Sequence, residues 1–220
     1  MTTTITVISD THCQKWEEVH STIKEEIAQS NISVHCGDIT KQDVVNGFLQ
    51  TAQNAILVHG NSDPVDIRKS LPYVQNIQVE DVLIGITHPA WGGPEFPLQE
   101  LFNDFNVKPD LILFGHTHEP LQKTIDNTLF VNPGQGYKSF MVNCTMAAIT
   151  IDGADIKSEI NSTENSLLKK QEQLNDLNTS IADIELEIKS INEKILITCL
   201  LYTSDAADER SSVDLGGRRI

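Results

Sequence analysis

Along the first 160 positions, apolar residues come in short runs whose period keeps changing. The β-branched stretches "ITVIS" (5–9), "ISVHC" (32–36) and "AILVHG" (55–60) are too short for helices and close on small or polar residues. Between them, over residues 16 to 28 and 42 to 49, apolar positions recur at helical spacing. The alternation reads as βαβαβ and hence as an α/β domain. After "VLIGITH" and a helical stretch around 98 to 105, the runs "LILFG", "LQKTI", "TLFVN", "MAAITI" and "ADIKSEI" follow one another with little between them. That crowding predicts a second, largely antiparallel sheet packed on the first.

Beyond Ser162 the period changes again. Leu167, Leu174, Ile181, Ile188 and Ile195 fall at a, and Lys170, Leu177, Ile184 and Ile191 at d, with Lys170 alone polar. The register predicts a coiled coil over residues 163–197, joining the chain to copies of itself or to another helical partner. The competing expectation is a helix lying back on its parent domain. From Thr198 the register is lost, and "TCLLYTSDAADERSSVDLGGRRI" looks like translated adapter sequence joined to a truncated frame. Residues 198–220 are therefore expected to be a disordered, non-native tail standing where the native C-terminus is missing.

Charge and cysteines narrow the function classes. A chain of 220 residues suits one domain of ordinary size with an appendage. A formal charge of -15 and a pI near 4.7 argue against nucleic acid as a partner, because Lys and Arg supply most phosphate-backbone affinity. Cys13, Cys36, Cys144 and Cys199 show no paired spacing, so neither a zinc knuckle nor a disulfide framework is indicated, and a reducing compartment fits best. The first strand pattern begins at once, and no run approaches about 18 apolar residues. The expectation is a cytoplasmic protein without a membrane partner.

The chemistry-bearing residues collect at strand ends. "ISDTHC" closes the first strand with Asp10 and His12, "HCGDIT" the second with Gly37 and Asp38, and "HGNSDP" the third with Gly60, Asn61 and Asp63. "GITHPAW" adds His88, and "LILFGHTHEP" adds His116 and His118. Open α/β sheets gather ligands at such carboxyl ends. His116 and His118 would share a face if the strand continued, and could flank a single point if the chain turned at Gly115.

In this order, DxH, GD, GN, H and GHxH, the motifs resemble those of the calcineurin-like metallophosphoesterases, specifically the small single-domain phosphodiesterases, over about residues 4 to 160. The resemblance implies a two-sheet β-sandwich core flanked by helices and an enzyme cleaving a small phosphoester at a binuclear metal centre. Asp10, His12 and His118 would ligate one ion, Asn61, His88 and His116 the other, and Asp38 would bridge. Asp38, Asn61 and His88 would carry the catalysis, with metal-bound hydroxide attacking phosphorus in line. Two ions bring four positive charges, and two carboxylates and a hydroxide return three, leaving about one to face an anionic substrate. The mixed shell suits first-row ions, Mn²⁺ first, with Ni²⁺, Fe²⁺ or Zn²⁺ as alternatives.

The chain also departs from the pattern. Ser62 stands where many relatives carry a histidine after Asn, leaving the leaving group without an evident acid. Thr87 precedes His88 where many have Gly. Trp91 and Phe96 lie in a Pro- and Gly-rich loop that could line the cleft or pack locally. His35 and His59 are expected in the core or behind the ligands, and His20 in solvent. "NPGQG" (132–136) reads either as a turn near the metals or as an ordinary tight turn, and nothing marks Cys13 as a nucleophile. The alternative function is a non-catalytic metal-binding scaffold or protein-interaction module, since the small subunit of retromer is similar to this group of folds.

Overall fold

The computed structural model describes residues 2–91, 96–138 and 143–215, with side chains outside the described set at 166, 167 and 204–215. Among the described residues, ten strands form two five-stranded sheets. The first is built on β1 (Thr3–Ile8), β2 (Ile32–Cys36) and β3 (Ala55–Val58), parallel and in that order. Helices α1 (Ser21–Gln29) and α2 (Gln42–Thr51) connect them as the alternating pattern predicts. The chain then passes through α3 (Val65–Ser70) to the second sheet, ordered β4-β5-β6-β8-β7, with β4 (Val74–Val79), β5 (Val82–Thr87), β6 (Leu111–Phe114), β7 (Leu121–Ile125) and β8 (Thr128–Asn132).

Two expectations about strands are corrected. The second sheet is mixed rather than largely antiparallel, since β6 runs parallel to both β5 and β8. The last two strands, β9 (Thr145–Asp152) and β10 (Asp155–Ser162), do not belong to it. They return to the first sheet, where β9 pairs antiparallel with the free edge of β1. Ala147, Ile149 and Ile151 thereby enter the same inter-sheet core as Ile5 and Val7, which no local pattern specifies. β4 and α3 are elements the sequence pattern did not predict.

Three apolar layers follow from strand alternation. Leu111 and Leu113 of β6 face the core between the sheets, while Ile112 and Phe114 face the outer layer with Leu101 and Phe105. A strand buried on both faces has to read as an unbroken apolar run, and "LILF" does. On the other side, Ile23, Ile27, Val44, Phe48 and Ile67 of the helices cover the first sheet.

Helical stretches also differ in detail. The expected helix over 16 to 28 is a 3₁₀ turn, Trp16–Glu18, followed by α1. Val19 is extended and buried in the core, and the His20 ring restarts the helix by accepting the Thr22 N–H. Leu98–Asp104 is likewise 3₁₀.

The chain divides between Leu167 and Leu168 into two units. Helix α4 (Thr163–Leu215) runs well past Ile197, where the register ends and a disordered tail was expected. Neither Gly nor Pro occurs between Gly153 and Gly216, so nothing in the backbone chemistry stops it. The heptad residues Leu174, Leu177, Ile181, Ile184, Ile188, Ile191 and Ile195 are exposed, and the side chain of Leu167 lies outside the described residues. Among the described residues no helix is long and apolar enough to cross a membrane.

Candidate metal centre

Each strand that carries a candidate ligand ends at the same rim, and the residues just past it adopt backbone conformations that side chains disfavour. Asp10, His12, Asp38, His116 and His118 have φ of 50°, 45°, 55°, 82° and 59°. Left-handed backbone costs a non-glycine residue ~1 kcal/mol or more. Hydrogen bonds between the loops hold these turns. The Asp10 N–H donates to Gly37 O at 3.0 Å, the His12 N–H to Asp38 O at 3.3 Å and the His116 N–H to Asp10 Oδ2 at 3.1 Å.

Gly115 plays a different part from the one expected. The reversal is made by His116 and His118, whose φ is positive, whereas Gly115 is needed for space. A Cβ there would overlap Ser9 Oγ and lie 2.8 Å from Asp10 Oδ2. Gly37 answers both demands, with φ of 94° and the His88 ring where a Cβ would stand.

All seven predicted ligands come together, in two groups. On one side are Asp10, His12 and His118, with Asp10 Oδ1 3.3 Å from His118 Nε2 and the His12 and His118 rings 5.2 Å apart. On the other, Asn61 Oδ1 lies 3.2 Å from His88 Nε2 and 3.0 Å from His116 Nδ1. Asp38 stands between them. Its Oδ2 is 3.7 Å from His12 Nε2 and its Oδ1 is 3.5 Å from His88 Nε2. The two histidines of "HTH" thus go to different groups.

The donor set fits divalent ions. Asp10 Oδ1 and His12 Nε2 are buried without a hydrogen bond, an arrangement that is costly unless something else occupies the lone pairs. Asp10, His12 and His118 have ligand atoms within 4.8 Å of one another, as do Asp10, Asp38 and His88. His88 is fully buried, and its Nδ1–H donates to Cys36 O at 2.7 Å, which turns Nε2 and its lone pair into the site.

Burial pushes the Asp10 carboxyl up, but contact with His118, the nearby His88 and the Ser9 hydroxyl together hold it below its ordinary value. His118 is raised by the same contact with Asp10, against burial. His35 lies in the core, as expected, with Nε2 3.1 Å from Thr11 Oγ1, and burial lowers its pKa to about 3. Burial raises Cys13 and Cys36, and takes Cys144 to about 11, so these thiols stay protonated and unreactive.

Other candidates find plainer places. His59 packs against Tyr73, and His20 caps α1 rather than standing free in solvent. Trp91 packs on Phe96 and donates to Asp104, so the local-packing reading holds for it, while residues 92–95 of that loop lie outside the described residues. Ser62 donates its hydroxyl to Asp38 Oδ2 at 2.7 Å and its N–H to Oδ1 at 2.8 Å.

Asp63, which lies outside the expected ligand set, is buried and accepts the N–H groups of Asp38, Thr40 and Gly60 at 3.1, 2.6 and 2.7 Å. It ties the β2 and β3 loops together, and its only signal in the sequence is an Asp two positions after Asn61. A cavity of about 480 Å³ opens beside His12 and Ser62, lined also by Gln14, Thr40, Lys41 and Asp66.

The sequence model of the calcineurin-like phosphoesterase superfamily domain matches residues 3–154. A probable metallophosphoesterase of Methanocaldococcus jannaschii is 30% identical over 136 residues, 59% of this chain and 66% of that protein. A phosphodiesterase of the same organism is 25% identical over 113 residues, 46% of this chain and 65% of that protein. The chain therefore spans about two thirds of the length of these two relatives. A Thermotoga maritima protein solved by NMR shares 30% identity at a TM-score of 0.59, over 73% of this chain and 99% of that one. Vacuolar protein sorting 29 of Cryptosporidium parvum is similar in fold alone, at 18% identity and a TM-score of 0.60 over 73% of this chain and 97% of its own.

Proposed function

The chain belongs to the calcineurin-like phosphoesterase superfamily, and so to the hydrolases of phosphoester bonds, and we propose that it is a phosphodiesterase working with two divalent metal ions. In this reading Asp10, His12 and His118 hold one ion, Asn61, His88 and His116 hold the other, and Asp38 is shared. The observation that carries it is the placing of Asp38, whose two oxygens face histidines of different groups. When bound, such a pair supplies a water of lowered pKa for in-line attack and charge to clamp the phosphoryl oxygens. The relative named a phosphodiesterase supports the choice of a diester.

The protein's own groups then set the limits of the chemistry. The Ser62 hydroxyl is engaged by Asp38 and is a weak acid, so no side chain at that position protonates the departing alcohol. Esters with stable leaving groups should be cleaved readily and simple alkyl esters slowly. The cavity beside His12 and Ser62 has the size of a small-molecule site and would take the alcohol portion. The mixed donor set suits first-row ions better than Mg²⁺ or Ca²⁺, and Mn²⁺ is the ion proposed, with Ni²⁺, Fe²⁺ or Zn²⁺ as substitutes.

A scaffold role has support in the likeness of fold to vacuolar protein sorting 29, and because a scaffold can itself bind metal, turnover and not ligand residues alone separates it from the hydrolase. The exposed heptads of α4 fit a helical association device, through copies of this chain or another helix, acting beside the hydrolase rather than in place of it. The deciding experiment is hydrolysis of bis(4-nitrophenyl) phosphate with and without added Mn²⁺, alongside metal content. Two ions per chain and Mn²⁺-stimulated turnover are expected. No turnover under any metal would return the scaffold, and at most one ion per chain would remove the binuclear centre.

A further inference from the structure

Behind the two-histidine turn sits a side chain that the metal reading does not use. Asn132 closes β8 and is fully buried. Its Nδ2 donates to Gly115 O at 3.2 Å and to Thr117 Oγ1 at 3.0 Å, and its Oδ1 accepts the Gly134 N–H at 2.9 Å. Every hydrogen-bonding direction this amide uses therefore ends on the turn in front of it or on the loop that follows it.

We infer that Asn132 is the positioning residue that splits His116 and His118 between the two metal sites, an inference that rests on the binuclear reading above. The turn from Gly115 to His118 places two non-glycine residues in left-handed backbone, a conformation that relaxes unless its surroundings over-determine it. From in front, the bond from the His116 N–H to Asp10 Oδ2 holds its backbone. From behind, Asn132 grips both the carbonyl before His116 and the side chain of Thr117, the residue between the two ligands. Holding Thr117 away from the metals leaves its neighbours directed towards them, on opposite sides.

The loop after Asn132 extends the brace. The Gly136 N–H donates to Ser9 O at 2.7 Å, one residue before Asp10, and Tyr137 sets its ring edge-on to His12 and near His118. One short segment thus fixes the ends of β1 and β6 relative to each other. The chemistry also explains why the position holds an amide. Two acceptors must be met by donors, and a carboxylate of the same shape would set an anion against the Gly115 carbonyl.

The test uses the full chain as wild type, Asn132→Asp and Thr117→Val, each titrated with Co²⁺ and followed by visible absorption, with melting curves of the metal-free proteins. A merely structural asparagine would change melting but leave the Co²⁺ spectrum and affinity of the folded protein alone. We expect Asn132→Asp to weaken Co²⁺ binding about 10–100-fold and to change the spectrum, with Thr117→Val altering both in the same sense but less. Unchanged spectrum and affinity in a folded Asn132→Asp protein would overturn the inference. If that variant does not fold, an unchanged Thr117→Val protein overturns it instead. Amide NMR signals of residues 115–118 in the metal-free proteins separate the two levels of the argument. Signals that move in the variants while wild type binds no Co²⁺ would count against the metal reading and not against the brace. Signals that stay put would remove the brace.

Discussion

Strand β6 and helix α4 use the same apolar residue types and meet opposite fates. Leu111, Ile112, Leu113 and Phe114 are at most 1% exposed, whereas Ile181, Ile184, Ile188 and Ile191 are 46% to 55% exposed. A strand cannot satisfy its backbone alone, so β6 exists only between β5 and β8, and that pairing brings the cover for its side chains. A helix satisfies its backbone internally and can be written by local sequence without any cover. Burial of a Leu or Ile contributes roughly 1.5–3 kcal/mol, which β6 has collected and α4 has not. The same contrast places the chemistry, because the ligands sit where strands are pinned side by side.

The largest expected effect concerns that pinned rim. Asp38→Asn should cut phosphodiester turnover on the order of 10³-fold or more, since it weakens the group shared by both ion sites. A loss no greater than that of a remote surface variant would break the link between strand ends and catalysis. Next comes stability. Leu113→Ala should cost about 2–5 kcal/mol by denaturant unfolding, and Ile184→Ala well under 1 kcal/mol. Equal costs would mean that the helix is covered after all.

Acid should sharpen the contrast further, because the body contains a buried histidine. His35 titrates near 6.5 when unfolded and at about 3 when folded, so the unfolded state takes up the proton first. Its stability contribution is intact above pH 6.5 and is lost as pH falls towards 3, at about 1.4 kcal/mol per unit. A His35→Gln protein should show a shallower fall over that window in pH-dependent unfolding, and an identical slope would count against a neutral buried ring. Smallest is the effect of Ile184→Asp with Ile191→Asp on catalysis, which should be nil. Light scattering should nonetheless show a lower mass for this double variant than for wild type. If both have the mass of one chain, α4 does not join copies of this protein.

What the sequence determined by itself was local in its physics. Short apolar runs ending in Gly, Asp, Asn or His announced β1, β2, β3, β5 and β6 and put all seven ligand candidates at their ends, because strand propensity and its interruption are read a few residues at a time. The 3.5-residue register announced α4 for the same reason. Tertiary structure alone decided that β9 returns to the edge of β1, because several apolar edges offer similar burial and only the assembled core ranks them. It also supplied the means by which His116 and His118 part company, a split the motif resemblance implied, through positive backbone angles that Asp10 and Asn132 enforce from 106 and 15 or more residues away. Such angles are unfavourable to the chain locally, so no local pattern could have predicted them; they persist because distant partners, fixed by the packed sheets, outweigh the strain.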